Sequence, residues 1–350
     1  MRTFDYAKLK ERRWDSEILG YVAQIHEFKG RQQQYLKQCP TSLDRLVEIA
    51  KVQSTEASNE IEGIRTTNAR LKQLCADKTT PRNRDEYEIM GYRDVLNTIH
   101  ENYEYIPIRK NYLLQLHRDL YRYSEKSIGG LLKKEQNYIM EETATGEKRI
   151  IFTPLAPYET EAALDTACES FNRAIDAQDI EPLILIPAFI HDFLCIHPFS
   201  DGNGRMSRLL TTLLLYRSGY LVGGYISLEQ KIARNKIRYY DVLEACQLGW
   251  HEETDDPTPF IKYLLGVVLA AYRDFEDRVD MVGEKLSALE TVKRAVNTKI
   301  GKFTKTDILE LCPAFSAASV ESSIKKLVDS GFLIKHGHGR ATFYTRSDAT

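Results

Sequence analysis

A short polar stretch between two apolar stretches carries the residue types that phosphate chemistry needs. It reads "HPFSDGNGRMSR" over residues 197–208 and holds a histidine, an aspartate and two arginines: His197, Asp201, Arg205 and Arg208. A histidine is a general base near neutral pH, and an arginine presents planar donors that match phosphate oxygens. Because Asp201 would repel a bound phosphate, the pattern predicts Mg²⁺ between that carboxylate and the phosphate groups.

The backbone of this stretch favours anion binding as well. Gly202 and Gly204 allow the chain to approach a ligand closely, and the helix that follows would point its unpaired N–H groups at an anion. Arg205 and Arg208 are three residues apart on that helix, so both can reach phosphate oxygens. The alternative is a structural turn with surface arginines, which any one of these residues alone would favour. The sequence contains neither G-x-x-x-x-G-K-[ST] nor G-x-G-x-x-G, so the familiar phosphate loops are excluded.

Apolar helices are predicted on both sides of this loop. Apolar residues recur at three- and four-residue spacing in 183–196 and again in 205–217. The first helix is expected to end at His197, because Pro198 disfavours the helical conformation for the residue before it. The same spacing continues through most of the chain up to residue 280. The sequence therefore predicts a mainly α protein.

One segment, residues 126–158, departs from the helical pattern. Two short strands are predicted in it, Asn137–Met140 and Arg149–Thr153, on either side of the polar turn "ETATGEK". Because an isolated hairpin is only marginally stable in water, this β-hairpin must pack against the helical body.

Glu62 is predicted to lie at the end of a helix where a negative charge is unfavourable. The stretch "TSLDRLVEIAKVQSTEASNEIEGI" predicts one helix that begins at Thr41 and stops at Gly63. Glu62 would then lie in the last turn, beside the unpaired carbonyls at the negative end of the helix dipole. A carboxylate there is unfavourable by roughly 0.3–1 kcal/mol unless a cation pairs with it. We therefore expect Glu62 to have a cationic partner elsewhere in the chain.

Length and composition describe an ordinary globular chain of two or three domains. It has 350 residues, 43% of them apolar, and a net charge of −2. The charged start "MRTFDYAKLKERRWD" lacks the apolar core of a signal peptide, and no apolar run is long enough for a membrane helix. The six cysteines form no CxxC pair, which favours free thiols over disulfides or zinc. We therefore expect a cytoplasmic protein with no membrane association.

The last 65 residues change in character. "FTKTDILELC" and "SAASVESSIKKLVDSGFLIKHGHGRATFYTR" predict two short helices and then two strands around a Gly-rich turn. This pattern resembles a winged helix-turn-helix module, with 316–329 as the recognition helix and 336–340 as the wing. From residue 285 on there are 11 Lys and Arg against 6 Asp and Glu, a modest basic excess. DNA and protein both stay open as its partner, because fold does not fix function.

The stretch 197–208 also resembles the signature of the Fic family, H-x-F-x-[DE]-G-N-G-R-x-x-R, at every specified position. The resemblance implies a helical core that transfers AMP from ATP to a hydroxyl of a protein with the help of Mg²⁺. By that resemblance His197 removes the proton from the attacking hydroxyl, and Asp201 holds Mg²⁺. The resemblance also implies an anion hole formed by Gly202, Asn203 and Gly204. It further implies that Arg205 and Arg208 contact the β- and γ-phosphates.

Two further segments resemble parts of the same family. The hairpin at 137–153 resembles the flap, whose edge adds a strand to the target segment, and Ile151 and Phe152 lie on it. The segment "RYYDVLEACQ", 238–247, resembles the wall of the nucleotide pocket. Its implied pocket residues are Tyr239, Tyr240 and Gln247. For the two tyrosines the alternative is plain packing in the core.

The resemblance also suggests a partner for Glu62. Residues 58–63 match the family's inhibitory motif, [ST]-x-x-x-E-[GN], with Ser58 and Glu62 at its fixed positions. By resemblance, Glu62 pairs with Arg208 and so removes the γ-phosphate contact of that arginine. The alternative is a solvated glutamate of little consequence.

Three parts are predicted on this basis. They are an N-terminal helical region with the inhibitory helix (1–110), a Fic core with a β-hairpin flap (111–280) and a winged-helix module (285–350). The expected partners are ATP, a protein with a Tyr, Thr or Ser hydroxyl (itself included), DNA or protein at the winged helix, and a second copy of the chain.

The same residues suggest three alternative functions. The first is removal of AMP from a modified protein, with Glu62 aligning a water molecule. The second is a DNA-binding regulator whose core only senses a nucleotide. Phosphate transfer, the third, is disfavoured, because Doc-type relatives carry lysine where Gly204 stands.

Overall fold

A computed structural model shows a chain built almost entirely from helices. It describes residues 2–38, 40–142, 148–283, 287–299, 301–312 and 315–347. Over these residues the helices are α1 (Ser16–Gln38), α2 (Pro40–Ile61), α3 (Asn68–Cys75), α4 (Arg84–Asn102), α5 (Lys110–Leu120), α6 (Pro157–Ala177), α7 (Pro182–Ile196), α8 (Asn203–Arg217), α9 (Leu228–Arg234), α10 (Lys236–Gln247), α11 (Thr258–Gly283), α12 (Ala288–Asn297), α13 (Lys305–Leu311) and α14 (Ala317–Asp329). The strands are β1 (Ile139–Glu142), β2 (Lys148–Phe152), β3 (Leu333–His336) and β4 (Phe343–Arg346). The prediction of a mainly α protein is confirmed.

The helix predicted over 41–61 forms as α2, with a small difference at its start. It begins at Pro40, so Thr41 lies inside its first turn and does not precede it, and the Thr41 side chain lies outside the described residues. At the other end Gly63 adopts a φ of +79°, and its N–H donates to the Glu60 carbonyl at 3.0 Å. Glycine adopts this left-handed conformation without strain, so the predicted stop is confirmed.

The two helices around the polar loop also form as α7 and α8, which pack against each other. Helix α7 ends at His197, which adopts a left-handed φ of +50°. Helix α8 starts at Asn203, two residues earlier than predicted, because Gly202 with a φ of +83° forms its N-cap. The loop between them is thus only six residues long, and both of its ends are held by buried helices.

The predicted hairpin is present, with its strands shifted by one or two residues. β1 pairs with β2 antiparallel, and Glu141 faces Arg149 across the two strands. Residues 143–147 of the predicted turn lie outside the described residues. Phe152 is buried, with its ring centroid 6.1 Å from that of Trp250. This contact supplies the packing against the helical body that an isolated hairpin lacks.

Two large hydrophobic cores organise the described part of the chain, with a small third cluster formed by Leu71, Leu74, Ile89 and Met90. The first is continuous from Phe4 to Val279, so the regions 1–110 and 111–280 share it. The second, from Val292 to Leu333, belongs to the C-terminal module formed by α12–α14, β3 and β4.

The C-terminal module contains the elements expected from the sequence and one more. The two predicted helices are α13 and α14, and the Ser316 hydroxyl accepts a hydrogen bond from the Ser319 N–H at 3.2 Å to cap α14. The additional helix, α12, starts at a capping box formed by Ser287 and Glu290. β3 and β4 form an antiparallel pair after the helices. The winged-helix assignment of this module and its partner stay predictions.

Two further observations concern the described part of the chain. None of its helices has both the length and the apolar composition needed to cross a bilayer. Its cysteines are free thiols, namely Cys75, Cys168, Cys195, Cys246 and Cys312, while Cys39 lies outside the described residues.

Candidate active site

A cavity of about 510 Å³ opens beside the loop between α7 and α8. The end of α2, the hairpin, the loop, the first turns of α8 and helix α10 all contribute to its wall. The predicted site residues that line it are Glu62, Ile151, His197, Asp201, Gly202, Asn203, Gly204, Arg208, Tyr239, Tyr240 and Gln247. Ser58, Arg205 and Phe152 are buried and do not line it.

His197 is prepared to act as a base. Its ring Nδ1 lies 3.1 Å from the Leu194 carbonyl, so Nδ1 carries the proton and Nε2 is left with its lone pair. Burial lowers the pKa of His197 to about 4, and the charge of Lys133 lowers it further against the opposing hydrogen bond to Leu194. The imidazole is therefore neutral at physiological pH and able to accept a proton.

The loop that carries His197 is fixed by the side chain of Asn203. Asn203 Nδ2 donates to the Phe199 carbonyl at 2.7 Å, and the Phe199 N–H donates to Asn203 Oδ1 at 2.9 Å. Both polar atoms of the Asn203 amide are thereby used inside the loop. Its contribution to an anion site would come from its backbone at the start of α8.

His117, on α5, contacts the same loop. No sequence pattern marked it as a site residue. Its ring stacks on Phe199 with a centroid distance of 3.7 Å. The Gly130 N–H donates to its Nδ1 at 3.0 Å, so Nε2 carries the proton and donates to the Asp201 carbonyl at 3.1 Å. Burial lowers the pKa of His117 to about 4. The residue lies 80 positions before the signature, and no local spacing marks it.

The segment that leads into the hairpin is bonded to this loop as well. Asn137 Nδ2 donates to the Phe199 carbonyl at 3.0 Å. The Lys133 N–H donates to the Pro198 carbonyl at 2.9 Å, and Lys133 Nζ donates to the Ile196 carbonyl at 3.1 Å. Asn137 was predicted to begin the first strand, but its side chain is used here and β1 begins two residues later. The segment before the hairpin is thus bonded to backbone carbonyls of the loop that carries His197.

Asp201 presents a charged carboxylate to the cavity. Its Oδ1 accepts from the Gly202 N–H at 2.7 Å, and its Oδ2 accepts from Lys126 Nζ at 2.5 Å. Burial raises the pKa of Asp201, but the hydrogen bond and charge of Lys126 outweigh it and hold the pKa below its usual value. No sequence pattern marked Lys126 as a site residue.

The donor set around Asp201 fits Mg²⁺. This ion binds through one or two carboxylates together with substrate phosphates and water, and does not need a cage of protein ligands. Among the described residues no group of three or more His, Cys, Asp or Glu is arranged to hold a metal. Asp201 already faces a cation, the Lys126 ammonium, so its position suits positive charge.

Arg208 is held by α2 through three hydrogen bonds. Its Nη2 donates to Glu62 Oε1 at 2.8 Å and to the Ser58 carbonyl at 2.9 Å, and its Nε donates to Ser58 Oγ at 2.8 Å. Burial lowers the pKa of Arg208, but the charge of Glu62 outweighs it, so the pKa is raised and the side chain stays charged. Its Nη1 is buried without a hydrogen-bond partner in the described part of the chain. One donor is therefore left over for an anion.

The Glu62 carboxylate also lies against the first turn of α8. A Cβ atom placed on Gly204 would collide with Glu62 Oε1. The carboxylate thus occupies space at the helix N-terminus, where an anion is favoured. In this position Glu62 has the cationic partner that the helix-end argument required, and it is not the solvated glutamate of the alternative.

Arg205 does not line the cavity. It is 1% exposed, and its Nη2 donates to Tyr121 Oη at 2.7 Å and lies 2.8 Å from Glu88 Oε2. Residues three apart on a helix lie on neighbouring faces. Arg205 therefore faces α4, where it pairs with Glu88. Its Nε and Nη1 are buried without a hydrogen-bond partner in the described part of the chain, and a phosphate contact of Arg205 stays a prediction. Sequence spacing gave no sign of Glu88 or Tyr121.

On helix α10, Tyr239 and Tyr240 line the cavity, and Tyr239 also packs in the core. Tyr239 is buried against Phe260 and Tyr263 while it also lines the cavity. Tyr240 is 42% exposed and meets Tyr239 edge to face, with ring centroids 5.3 Å apart. Tyr239 therefore packs in the core, and Tyr240 offers an accessible ring at the cavity.

Comparison with known protein families gives a consistent result. The model of the Fic/DOC family matches residues 107–215. A Fido domain-containing protein of Dictyostelium discoideum is 31% identical over 116 residues, which are 32% of this chain and 78% of that protein. The protein adenylyltransferase Fic of Drosophila yakuba is 26% identical over 323 residues, 86% of this chain. The chain spans 58% of the length of the Drosophila yakuba protein and 26% of its Aedes aegypti counterpart.

Solved structures with the same fold cover more of the chain. A Fic family protein from Desulfovibrio desulfuricans superposes with a TM-score of 0.63 at 19% identity, over 97% of this chain and 98% of its own. A Fic domain-containing signalling protein from Bacteroides thetaiotaomicron gives a TM-score of 0.62 at 24% identity, over 76% of this chain and 98% of its own. At these identities the likeness concerns the fold alone.

Proposed function

Because this chain belongs to the Fic/DOC family, we propose that it is a protein adenylyltransferase. It transfers AMP from ATP to a Tyr, Thr or Ser hydroxyl of a protein, depends on Mg²⁺, and is inhibited by its own α2. The observation that carries the proposal is the position of His197, whose free Nε2 lines the same cavity as Asp201, the start of α8 and Arg208. The name of the Drosophila yakuba relative supports the activity.

The chemical step needs a base that is neutral before the reaction. His197 Nε2 accepts the proton of the target hydroxyl while the hydroxyl oxygen attacks the α-phosphorus of ATP. A bond forms between that oxygen and phosphorus, the bond to the β-phosphate oxygen breaks, and pyrophosphate leaves. The target then carries AMP. The pKa of about 4 keeps His197 unprotonated and ready for this step.

Binding of ATP uses groups that lie around the cavity. The N–H groups at the start of α8 and the spare Nη1 of Arg208 bind phosphate oxygens. Asp201 would hold Mg²⁺, which neutralises phosphate charge when bound. Tyr240 and Gln247 contact the base and ribose, and the hairpin at Ile151 aligns the target segment.

Inhibition follows from competition for Arg208. Glu62 and Ser58 occupy three of its hydrogen bonds, and the Glu62 carboxylate fills the start of α8. ATP with its γ-phosphate must displace this carboxylate to bind productively. Loss of Glu62 therefore raises the rate of transfer.

Removal of AMP from a modified protein is a second candidate for the same site. The observation that favours it is that the Glu62 side chain, 33% exposed, lies on the cavity wall. From there its carboxylate could align a water molecule for attack on the phosphorus of an AMP ester. A preparation already labelled with AMP, incubated with wild type and without ATP, would lose its label faster than with Glu62→Gly.

The main test uses ATP labelled at the α-phosphate with wild type, Glu62→Gly and His197→Ala. We expect protein label that rises in Glu62→Gly and disappears in the double variant with His197→Ala. Glu60→Gly is the matched control, because it removes an exposed acid from the same last turn of α2, and its label should equal that of wild type. Absence of label in Glu62→Gly would refute the proposal, and label from the γ-phosphate would indicate a kinase.

A further inference from the structure

The carboxyl end of α2 holds a second cation besides Arg208. Lys236 Nζ donates to the carbonyl of Ile61, the last residue of α2, at 2.6 Å. Carbonyls in the last turn of a helix lack intrahelical partners, and a cation is favoured at this negative end of the dipole. Glu62 adds a further negative charge one residue later. Lys236 therefore offsets both unfavourable features of this helix end.

Lys236 belongs to the helix on the opposite side of the cavity. It is the first residue of α10, and its ammonium lies 5.7 Å from the ring centroid of Tyr240. The cavity wall includes its neighbour Ile237 but not Lys236. One side chain thus joins the end of the inhibitory helix to the helix that carries the nucleotide-side tyrosines, without taking a place in the cavity itself.

The other contacts at this helix end are weaker or purely local. Arg65 lies 3.1 Å from Glu60, but both side chains are at least half exposed, and such pairs contribute little. The N–H groups of Glu62 and Ile64 both donate to the Asn59 carbonyl, which closes the turn on itself. The Arg65 N–H also donates to Asp85 Oδ2 on α4 at 3.2 Å, but this bond is exposed, whereas the Lys236 bond is partly buried.

We propose that Lys236 is a positioning residue for inhibition: its bond to Ile61 holds the last turn of α2 against α8 and so keeps Glu62 on Arg208. This rests on the proposed function, because the inhibited reaction is AMP transfer. When the hydrogen bond between Lys236 and the Ile61 carbonyl breaks, the last turn of α2 moves outward and Glu62 leaves Arg208 more often. Lys236 then controls the fraction of molecules in which ATP finds Arg208 free.

The test compares AMP transfer by Lys236→Met and Lys236→Arg, each alone and with Glu62→Gly. We expect Lys236→Met to raise transfer roughly two- to fivefold, the scale of one cation at a helix end. Lys236→Arg should restore the low rate, because guanidinium reaches the same carbonyl. In the Glu62→Gly background Lys236→Met should change neither kcat nor the KM for ATP, because the contact has nothing left to position. Arg238→Met, an exposed cation on the same turn of α10, is the matched control and should match wild type.

Amide hydrogen exchange measures the effect of the contact between Lys236 and Ile61 and does not depend on catalysis. The amides of 62–64 should exchange faster in Lys236→Met than in wild type, and at the wild-type rate in Arg238→Met. Unchanged exchange overturns the inference, and so does an activity that rises equally with and without Glu62. If Glu62→Gly transfers no AMP at all while exchange still increases, the proposed function fails and the holding contact stands.

Discussion

Glu62 Oε1 lies where a side chain on Gly204 would have to be. The same Cβ would lie 3.3 Å from Arg208 Nη1, so it would also crowd the guanidinium. The position is helical, and no unusual φ explains a glycine there. Glycine at 204 thus leaves room first for the Glu62 carboxylate and, when that leaves, for an anion at the start of α8.

Gly204→Ala tests this relationship through stability. In wild type the added methyl group displaces Glu62 Oε1 from its place beside Arg208, and we expect a loss of about 1 kcal/mol in the free energy of unfolding, because a hydrogen bond is weakened. In the Glu62→Gly background the collision is gone, and alanine should be neutral or stabilising in the helix. Thermal or urea unfolding of the four proteins gives the coupling energy between the two positions. An equal loss in both backgrounds would contradict the placement of Glu62.

Ser58→Ala tests the hold of α2 on Arg208. The substitution removes the hydroxyl that accepts from Arg208 Nε and leaves a buried donor unpaired. We expect AMP transfer to rise on the order of tenfold, with a stability loss of about 1–2 kcal/mol. Ser54→Ala is the control, because Ser54 is also buried one turn earlier on α2, while the hydrogen bonds of Arg208 go to Ser58 and Glu62. Equal rates for Ser58→Ala and wild type would show that Glu62 alone governs inhibition.

His117→Phe tests the brace beneath the catalytic loop. Phenylalanine keeps the stack on Phe199 but leaves the Asp201 carbonyl and the Gly130 N–H without their partner. In the Glu62→Gly background we expect kcat to fall on the order of tenfold or more, because the reacting groups lose their alignment. His26→Phe is the matched control, since His26 bonds to Glu181 and packs against Tyr220, and neither residue lines the cavity. The two variants should have similar KM values for ATP.

The histidines predict an acid-sensitive fold. Burial lowers the pKa values of His100, His117, His191 and His197 to about 4, below the 6.5 of a free side chain. The unfolded chain therefore binds protons between pH 6.5 and 4 that the folded chain does not, so stability is present above pH 6.5 and is lost as pH falls through this window. We expect on the order of 1–2 kcal/mol of loss per histidine at pH 5.

The measurement is the melting temperature between pH 7 and pH 5, above the range in which ordinary carboxylates titrate. His100→Gln should reduce the pH dependence, because His100 lies outside the catalytic loop and can be removed without touching it. A melting temperature that stays constant over this interval would rule out the buried neutral histidines.

The sequence predicted the parts of the site that lie close together in the chain. The ends of α7 and α8, the loop between them and the hairpin each carry local marks, such as Pro198, Gly202 and the polar turn. The end of α2 was also predictable, because Gly63 stops the helix and the position of Glu62 demanded a cation.

The parts contributed by distant helices were not predictable. Glu88, His117, Tyr121 and Lys126 come from α4, from α5 and from the segment that follows α5, and each is an ordinary residue in an ordinary helix or turn. Only packing shows that Glu88 captures Arg205, which the spacing of the two arginines had placed beside Arg208 at the phosphates. Local periodicity gives the face of a residue but not the neighbour that faces it.

The bonds between the hairpin and the catalytic loop have a consequence for the choice of target. In the proposed function the hairpin receives the target, and Asn137 and Lys133 bond the segment before the hairpin to the loop that carries His197. These bonds would fix the height of the base above the target backbone. A tyrosine hydroxyl stands several ångströms farther from its backbone than a serine or threonine hydroxyl. With a fixed height, only one of these two classes can bring its oxygen to Nε2, and the protein would therefore discriminate among its targets by side-chain length.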